Sequence, residues 1–373
     1  MMAAVELQGV SKSYDGTTFA IEGLSLQCRQ GEMLALLGPS GCGKSTTLKL
    51  IAGIECISGG RILFNGKDVS ELDTASRNVA MVFEDYALYP HLSVFENIAF
   101  PLRIRSYLHS EVQRAVDRII DLLELQDVRD ANVRKLSGGA QQRVSIGRAL
   151  VREPDLIMFD EPLSHMDAAQ KVGLRSEIAR LQKAAKLTSV LVTHDQTEAI
   201  SMADRIAVMD KGVLQQVATA AEIYARPANL FVASFIGEPP MNLLPAELLA
   251  SDASAVQLAL AGGAQLALPL VPHGAILQGA TGRELVVGIR PEHVRLAAPE
   301  RADIPAFDAC IDTVETRGDH DVLQLQSAMG PLVMEVGGPS GFLAGQTLRF
   351  QVEPRHVHVF DAKTTRNLLG EQA

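Results

Sequence analysis

Gly38-Pro39-Ser40-Gly41-Cys42-Gly43-Lys44-Ser45 is the stretch on which the fold turns. It follows the continuous apolar run Met33–Leu37 and precedes Thr46-Thr47-Leu48-Lys49-Leu50, a helix candidate. The spacing matches G-x-x-x-x-G-K-[ST] in a strand–loop–helix setting, where each residue type has a physical task. Glycines let backbone N–H groups converge on phosphate oxygens, and a helix N-terminus adds partial positive charge. Lys44 is expected to reach the β- and γ-phosphates of a nucleotide, and the Ser45 hydroxyl to ligate Mg²⁺.

Further along, residues 156–159 and 189–192 are also continuous apolar runs bounded by Gly, Pro or Asp. Such runs fit strands buried on both faces of a parallel sheet, although periodicity alone leaves a buried helix open. The first of them ends in Asp160-Glu161-Pro162. With a phosphate loop in the same chain, Asp160 is expected to hold Mg²⁺ through its water shell. Glu161 is expected to polarise an attacking water as general base. Between these runs, residues 110–125 place Val112, Val116, Ile119, Ile120 and Leu123 on one helical face, and Ser110 with Gln113 has capping-box spacing. This reads as a helical insertion, at about residues 88–152, into an α/β core.

After about residue 235 the texture changes. Short β-type runs occupy 256–260, 265–268, 284–289, 322–325, 332–336 and 348–352, with Gly262-Gly263 as a hairpin turn between the first two. The expected architecture is an α/β domain over 1–235 and then a small barrel or sandwich over 236–373. The chain has 373 residues, 47% hydrophobic and 21% charged, enough for two cores. Its formal net charge of -10 argues against nucleic acid as a partner, since displacing counterions from phosphates takes clustered basic charge. No run reaches the ~18 uninterrupted apolar residues of a membrane span, and residues 1–10 lack signal-peptide order, so a membrane role is expected to come through a partner. Four cysteines without metal-ligand spacing read as free thiols of a reducing compartment.

Other stretches resemble the ATP-binding cassette (ABC) family. Leu136-Ser137-Gly138-Gly139-Ala140-Gln141-Gln142-Arg143 is similar to the family's LSGGQ signature, ahead of a helix candidate over 141–151. The resemblance implies that Ser137, Gly138 and Gly139 complete the ATP site of a second copy, two domains closing head to tail on two nucleotides. Tyr14 resembles the aromatic that stacks on adenine, His194 the histidine that contacts the γ-phosphate, and Asp167 the aspartate that links the two sites. Residues 82–91, Val82-Phe83-Glu84-Asp85-Tyr86-Ala87-Leu88-Tyr89-Pro90-His91, resemble the segment that senses Mg²⁺, water and the permease. Residues 86–91 are then expected to receive a short permease helix, with core packing of Tyr86 or Leu88 as the alternative. The order of these motifs is more specific than any one of them.

The chain departs from the family pattern in places. Glu84 stands where the family carries glutamine, Ala140 replaces the signature glutamine, and His165-Met166 replaces Asn-Leu before Asp167. A carboxylate at 84 can ligate Mg²⁺ but adds negative charge and cannot donate a hydrogen bond. These departures open a second reading, a catalytically impaired cassette paired with another subunit. One phosphate loop and no long heptad insertion set the chain apart from the translation and DNA-repair branches of the family. Val287-Gly288-Ile289-Arg290-Pro291-Glu292-His293 and Met241-Asn242-Leu243 resemble the regulatory domain, of oligonucleotide-binding-barrel type, of sugar importers. The resemblance implies an ATP- and Mg²⁺-dependent subunit at the cytoplasmic face of the inner membrane. Its expected partners are a second copy or a paired cassette, two permease subunits and, indirectly, an extracytoplasmic solute-binding protein. Importers for maltose-like sugars, polyols and sn-glycerol 3-phosphate are closest in pattern, with polyamine or anion importers as an alternative.

Overall fold

The computed structural model describes residues 3–164, 166–251, 255–269, 283–301 and 304–368. They form two compact units, Met1–Ala220 and Ala221–Ala373.

The first unit is built on a six-stranded sheet. Its strands are β3 (Met33–Leu37), β6 (Val79–Val82), β7 (Leu156–Asp160), β8 (Ser189–Thr193), β9 (Arg205–Asp210) and β10 (Val213–Ala218), in the order β10-β9-β3-β8-β7-β6. All neighbours run parallel except β10, which pairs antiparallel with β9. β3 and β8 are buried at every position, which is why they lack apolar–polar alternation and read as continuous runs. A second, antiparallel sheet joins β1 (Ala3–Ser13), β2 (Phe19–Arg29), β4 (Gly59–Phe64) and β5 (Lys67–Asp68). Leu7, Leu24 and Ile62 from it share one core with Leu34 and Leu36 of β3 and with Leu48 and Ile51 of helix α1 (Lys44–Ala52). Arg77 closes the end of α1: its buried guanidinium donates to Leu50 O at 2.7 Å and Ile51 O at 2.8 Å. Arg77 thereby supplies donors to carbonyls of the last turn, where helical N–H partners run out.

The helical insertion comprises α2 (Val94–Ile104), α3 (His109–Leu122) and α4 (Gly138–Leu150). Val112, Val116, Ile119, Ile120 and Leu123 are buried, as the period requires. The start of α3 corrects the sequence reading. The helix begins at His109, so Ser110 lies inside it, and the Glu111 carboxylate accepts from Leu108 N–H at 3.1 Å in place of a Ser110–Gln113 box. A reciprocal box stands instead at α2, where Ser93 Oγ accepts from Glu96 N–H at 3.2 Å and Glu96 from Ser93 N–H at 2.9 Å. α4 also begins earlier than 141, which puts Gly138 and Gly139 in its first turn. The remaining helices of this unit are α5 (Ala168–Ala184) and α6 (Gln196–Met202).

In the second unit, helices α7 (Ala220–Ala225) and α8 (Leu230–Phe235) precede ten strands. The expected division at 235 differs from this one because both helices are bonded to residues of the β-rich part. Arg290, 1% exposed, donates to the carbonyls of Tyr224, Ala233 and Ile236, and Leu230 N–H reaches Thr365 O at 2.9 Å. The strands are β11 (Asn242–Ser251), β12 (Ala255–Leu260), β13 (Gln265–Pro269), β14 (Glu284–Ile289), β15 (Val294–Leu296), β16 (Ala306–Thr316), β17 (His320–Ser327), β18 (Gly330–Gly337), β19 (Thr347–Val352) and β20 (Val357–Asp361). They form two five-stranded antiparallel sheets, β13-β12-β11-β14-β20 and β15-β19-β16-β17-β18, around one core holding Leu258, Val287, Leu323 and Phe350. The chain passes between the sheets at two similar turns, Arg290-Pro291-Glu292-His293-Val294 and Glu353-Pro354-Arg355-His356-Val357. The rings of His293 and His356 stack there with centroids 3.8 Å apart. Gly262, at φ 69°, makes the turn between β12 and β13.

Candidate functional site

The phosphate loop leaves the carboxyl end of β3, between its parallel neighbours β8 and β9. Ligands of open α/β sheets bind at such strand ends. Two glycines are demanded by local geometry. A Cβ on Gly38 would lie 2.3 Å from Met209 O, and one on Gly43 would lie 2.5 Å from Ile21 Cδ1 at φ 103°. Gly43 caps α1 without a side chain, which leaves the first-turn N–H groups for an anion. Lys44 is only 5% exposed; its Nζ donates to Gly38 O at 2.8 Å and Pro39 O at 2.9 Å across the loop. Cys42 is buried beside it, and burial pushes its thiol above the ordinary range, partly offset by the Lys44 charge. A cavity of about 230 Å³ is walled by Ser40, Gly41 and Gly43, by Lys44, Ser45 and Thr46, and by Glu161.

Glu161 comes directly after β7 and holds a left-handed backbone, φ 47°, with its N–H on Val192 O at 2.9 Å. A residue with a Cβ keeps that conformation only when its surroundings over-determine it, and such residues cluster at functional sites. His194 Nδ1 lies 3.0 Å from Glu161 Oε2. Asp160 is pushed above the usual carboxylate range, first by burial, then by the charges of Glu161 and Glu84, against the pull of Lys49 and Lys44. Glu84 accepts a hydrogen bond from Ser164 Oγ at 2.6 Å. Among the described residues no three His, Cys, Asp or Glu side chains are disposed to hold a metal ion by themselves. A cation beside Asp160 would therefore draw ligands from Ser45, phosphate and water as well.

The other expected residues lie elsewhere in the unit. Tyr14 is 62% exposed, donates to Glu55 Oε2 at 2.5 Å, and carries Lys12 Nζ 4.8 Å from its ring centroid. Ser137 caps α4 by accepting from Ala140 N–H at 3.4 Å. Asp167 caps α5 by accepting from Gln170 N–H at 2.9 Å. None of Tyr14, Ser137, Gly138, Gly139 and Asp167 lines the phosphate cavity. His165 lies outside the described residues, so its departure from the pattern has no structural account. A separate groove of about 460 Å³ is lined by Phe83, Ala87 and Tyr89, by Phe100, Pro101 and Ile104, and by Arg148 and Arg152. Sequence reasoning missed Ser145 and Arg148, which hold the backbone of Tyr86 beside this groove. No motif signals a side chain whose partner is a carbonyl of a distant loop.

Three family descriptions match in chain order: "ABC transporter" over residues 21–164, "MalK OB fold domain" over 237–294 and "TOBE domain" over 287–360. The sn-glycerol-3-phosphate import ATP-binding protein UgpC of Salmonella typhimurium is 42% identical over 363 residues, 97% of this chain and 99% of its own length. That of Cereibacter sphaeroides is 43% identical over 368 residues, 98% and 100% of the two chains. The chain belongs to the ABC transporter family. Within that family it falls among the import ATP-binding subunits, which are ATPases coupled to transport. Among solved structures, CbiO1 of Clostridium perfringens, described as part of the ABC transporter complex CbiONQ, covers 60% of this ABC subunit. It aligns over 92% of its own length with 28% identity and a TM-score of 0.55. Among the described residues of this ABC subunit, no helix is long and apolar enough to cross a membrane.

Proposed function

We propose that this subunit hydrolyses MgATP between two copies of itself and so drives a pair of permease subunits that import sn-glycerol 3-phosphate or a related polyol or sugar. The observation that carries the chemistry is the meeting of Lys44, Ser45 and Glu161 on one cavity. Lys44 binds the β- and γ-phosphates, aided by the free N–H groups of α1. The excess negative charge around Asp160 fits a divalent cation, which Ser45, Asp160 and Glu84 would hold. When bound, Mg²⁺ neutralises phosphate charge. Glu161 takes the proton of the attacking water, and His194, in contact with its carboxylate, orients it and faces the γ-phosphate. Tyr14 stacks on the adenine from its exposed position, and Asp167 connects the paired sites.

The signature glycines support assembly in pairs. Among the described residues a Cβ on Gly139 would meet nothing within 4 Å, so the turn is open there. We take that open turn to receive the nucleotide held on a second copy. The groove beside residues 86–91, rimmed by exposed Phe83 and Ile104, suits an apolar helix of the permease, which would hold the subunit at the cytoplasmic face of the membrane. A solute-binding protein outside the cell would meet the permease and not this chain. The second unit carries the regulatory role. The solute class rests on the names of the relatives, whose whole length the chain matches. An impaired cassette would lack part of the Lys44, Ser45, Asp160, Glu161 and His194 set; all five are present.

Glu161→Gln tests this reading. Hydrolysis is expected to fall by about 10²-fold or more while ATP binding persists. The variant should elute at twice the monomer mass with saturating MgATP, and elution as a monomer would overturn the paired mechanism. Uptake of radiolabelled sn-glycerol 3-phosphate in a strain deleted for the subunit tests the solute.

A further inference from the structure

Tyr86 and Ala87 both hold left-handed backbone, φ 59° and 46°. Each costs about 1–2 kcal/mol for a residue with a Cβ, so two in succession need external support. Helix α4 supplies it. Ser145 Oγ donates to Tyr86 O at 2.9 Å. Arg148 donates to the same carbonyl at 2.9 Å through Nη2 and to Ala87 O at 2.5 Å through Nη1. One helix thus holds two successive loop residues by their carbonyls.

The loop has two business ends. Glu84, two residues before the grip, is bonded to Ser164, next in line to the loop that carries Glu161. Phe83, Ala87 and Tyr89 line the groove. We infer that Ser145 and Arg148 are positioning residues that gear the signature helix to the groove, so that a tilt of α4 carries the 84–89 loop with it. Without the grip, Tyr86 and Ala87 relax toward ordinary φ and the loop no longer moves with the helix. Ser145 is the cleaner probe because it lines neither the phosphate cavity nor the groove.

The gearing rests on the transporter reading, because its output is a permease seated at the groove. Ser145→Ala in the full chain is compared with the parent, alone and assembled with its two permease subunits in lipid. Alone, KM and kcat for ATP are expected to stay within about twofold of the parent; in the assembly, stimulation by the permease pair falls by about fivefold, the scale of one lost hydrogen bond. Ser145→Thr, which keeps the hydroxyl, restores it. Amide exchange across residues 84–90 of Ser145→Ala is expected to speed up by about tenfold with no change in the global unfolding midpoint. Unchanged stimulation, or a fall of basal and stimulated rates in the same proportion, overturns the gearing. If the parent itself gains no stimulation from its permeases, the transporter reading fails, and the exchange measurement alone then decides whether the grip exists.

Discussion

Glu84 is where this chain differs most from what its family pattern predicts, and its surroundings give the difference a direction. Its carboxylate contributes to the charge that lifts Asp160, and Ser164 holds it through a 2.6 Å hydrogen bond. An amide would keep an acceptor for Ser164 but would remove a negative charge from beside the proposed metal position. Glu84→Gln is therefore expected to raise the Mg²⁺ concentration for half-maximal hydrolysis by about three- to tenfold, with hydrolysis retained at saturating metal. Metal titration of the steady-state rate checks this. Coincident curves would remove Glu84 from the metal shell.

Two glycines on α4 separate packing from function at the scale of an element. A Cβ on Gly147 would meet Leu123 Cδ1 at 2.8 Å and Ile119 Cγ2 at 3.0 Å, where α3 packs closest, whereas one on Gly139 meets nothing. Gly147→Ala should destabilise the chain by about 1–3 kcal/mol through overpacking. Gly139→Ala should not lower the unfolding midpoint yet should lower MgATP hydrolysis by about tenfold or more if, as proposed, its methyl group meets the nucleotide of a second copy. Denaturation and ATPase assays on the same preparations distinguish the two; equal loss of stability in both would refute the division. β3, β7 and β8 were legible as continuous apolar runs because burial on both faces leaves no polar position, and the stripe of α3 because burial on one face imposes a period. The phosphate loop was legible because only glycine clears Met209 O and Ile21. The start of α3 was not, because the Glu111 carboxylate and a Ser110 hydroxyl can each serve as a cap and the choice depends on where the turn before it ends. The left-handed backbone of Glu161, Tyr86 and Ala87 was equally hidden. Those residues carry no glycine to announce it, and the partners that enforce it are distant in sequence.

At the scale of the molecule, the phosphate cavity is walled by Lys44, Ser45 and Glu161, and the Ser137–Gly139 turn stands outside it. If nucleotide is held between copies, a chain with a ruined phosphate loop can still lend its signature turn to a partner. Lys44→Ala and Gly139→Asp should then each be inactive alone, the first for want of phosphate binding and the second through a charge set against the nucleotide. Mixed in equal amounts, half of the pairs combine the two variants. Each mixed pair joins one sound phosphate loop to one sound signature turn, while its other site is doubly damaged. Recovered hydrolysis should therefore approach about a quarter of the parent rate if the two sites act independently, and fall below it to the extent that they are coupled. A mixture that stays at the sum of its inactive components, under conditions where co-purification demonstrates mixed pairs, would mean that each chain completes its own site.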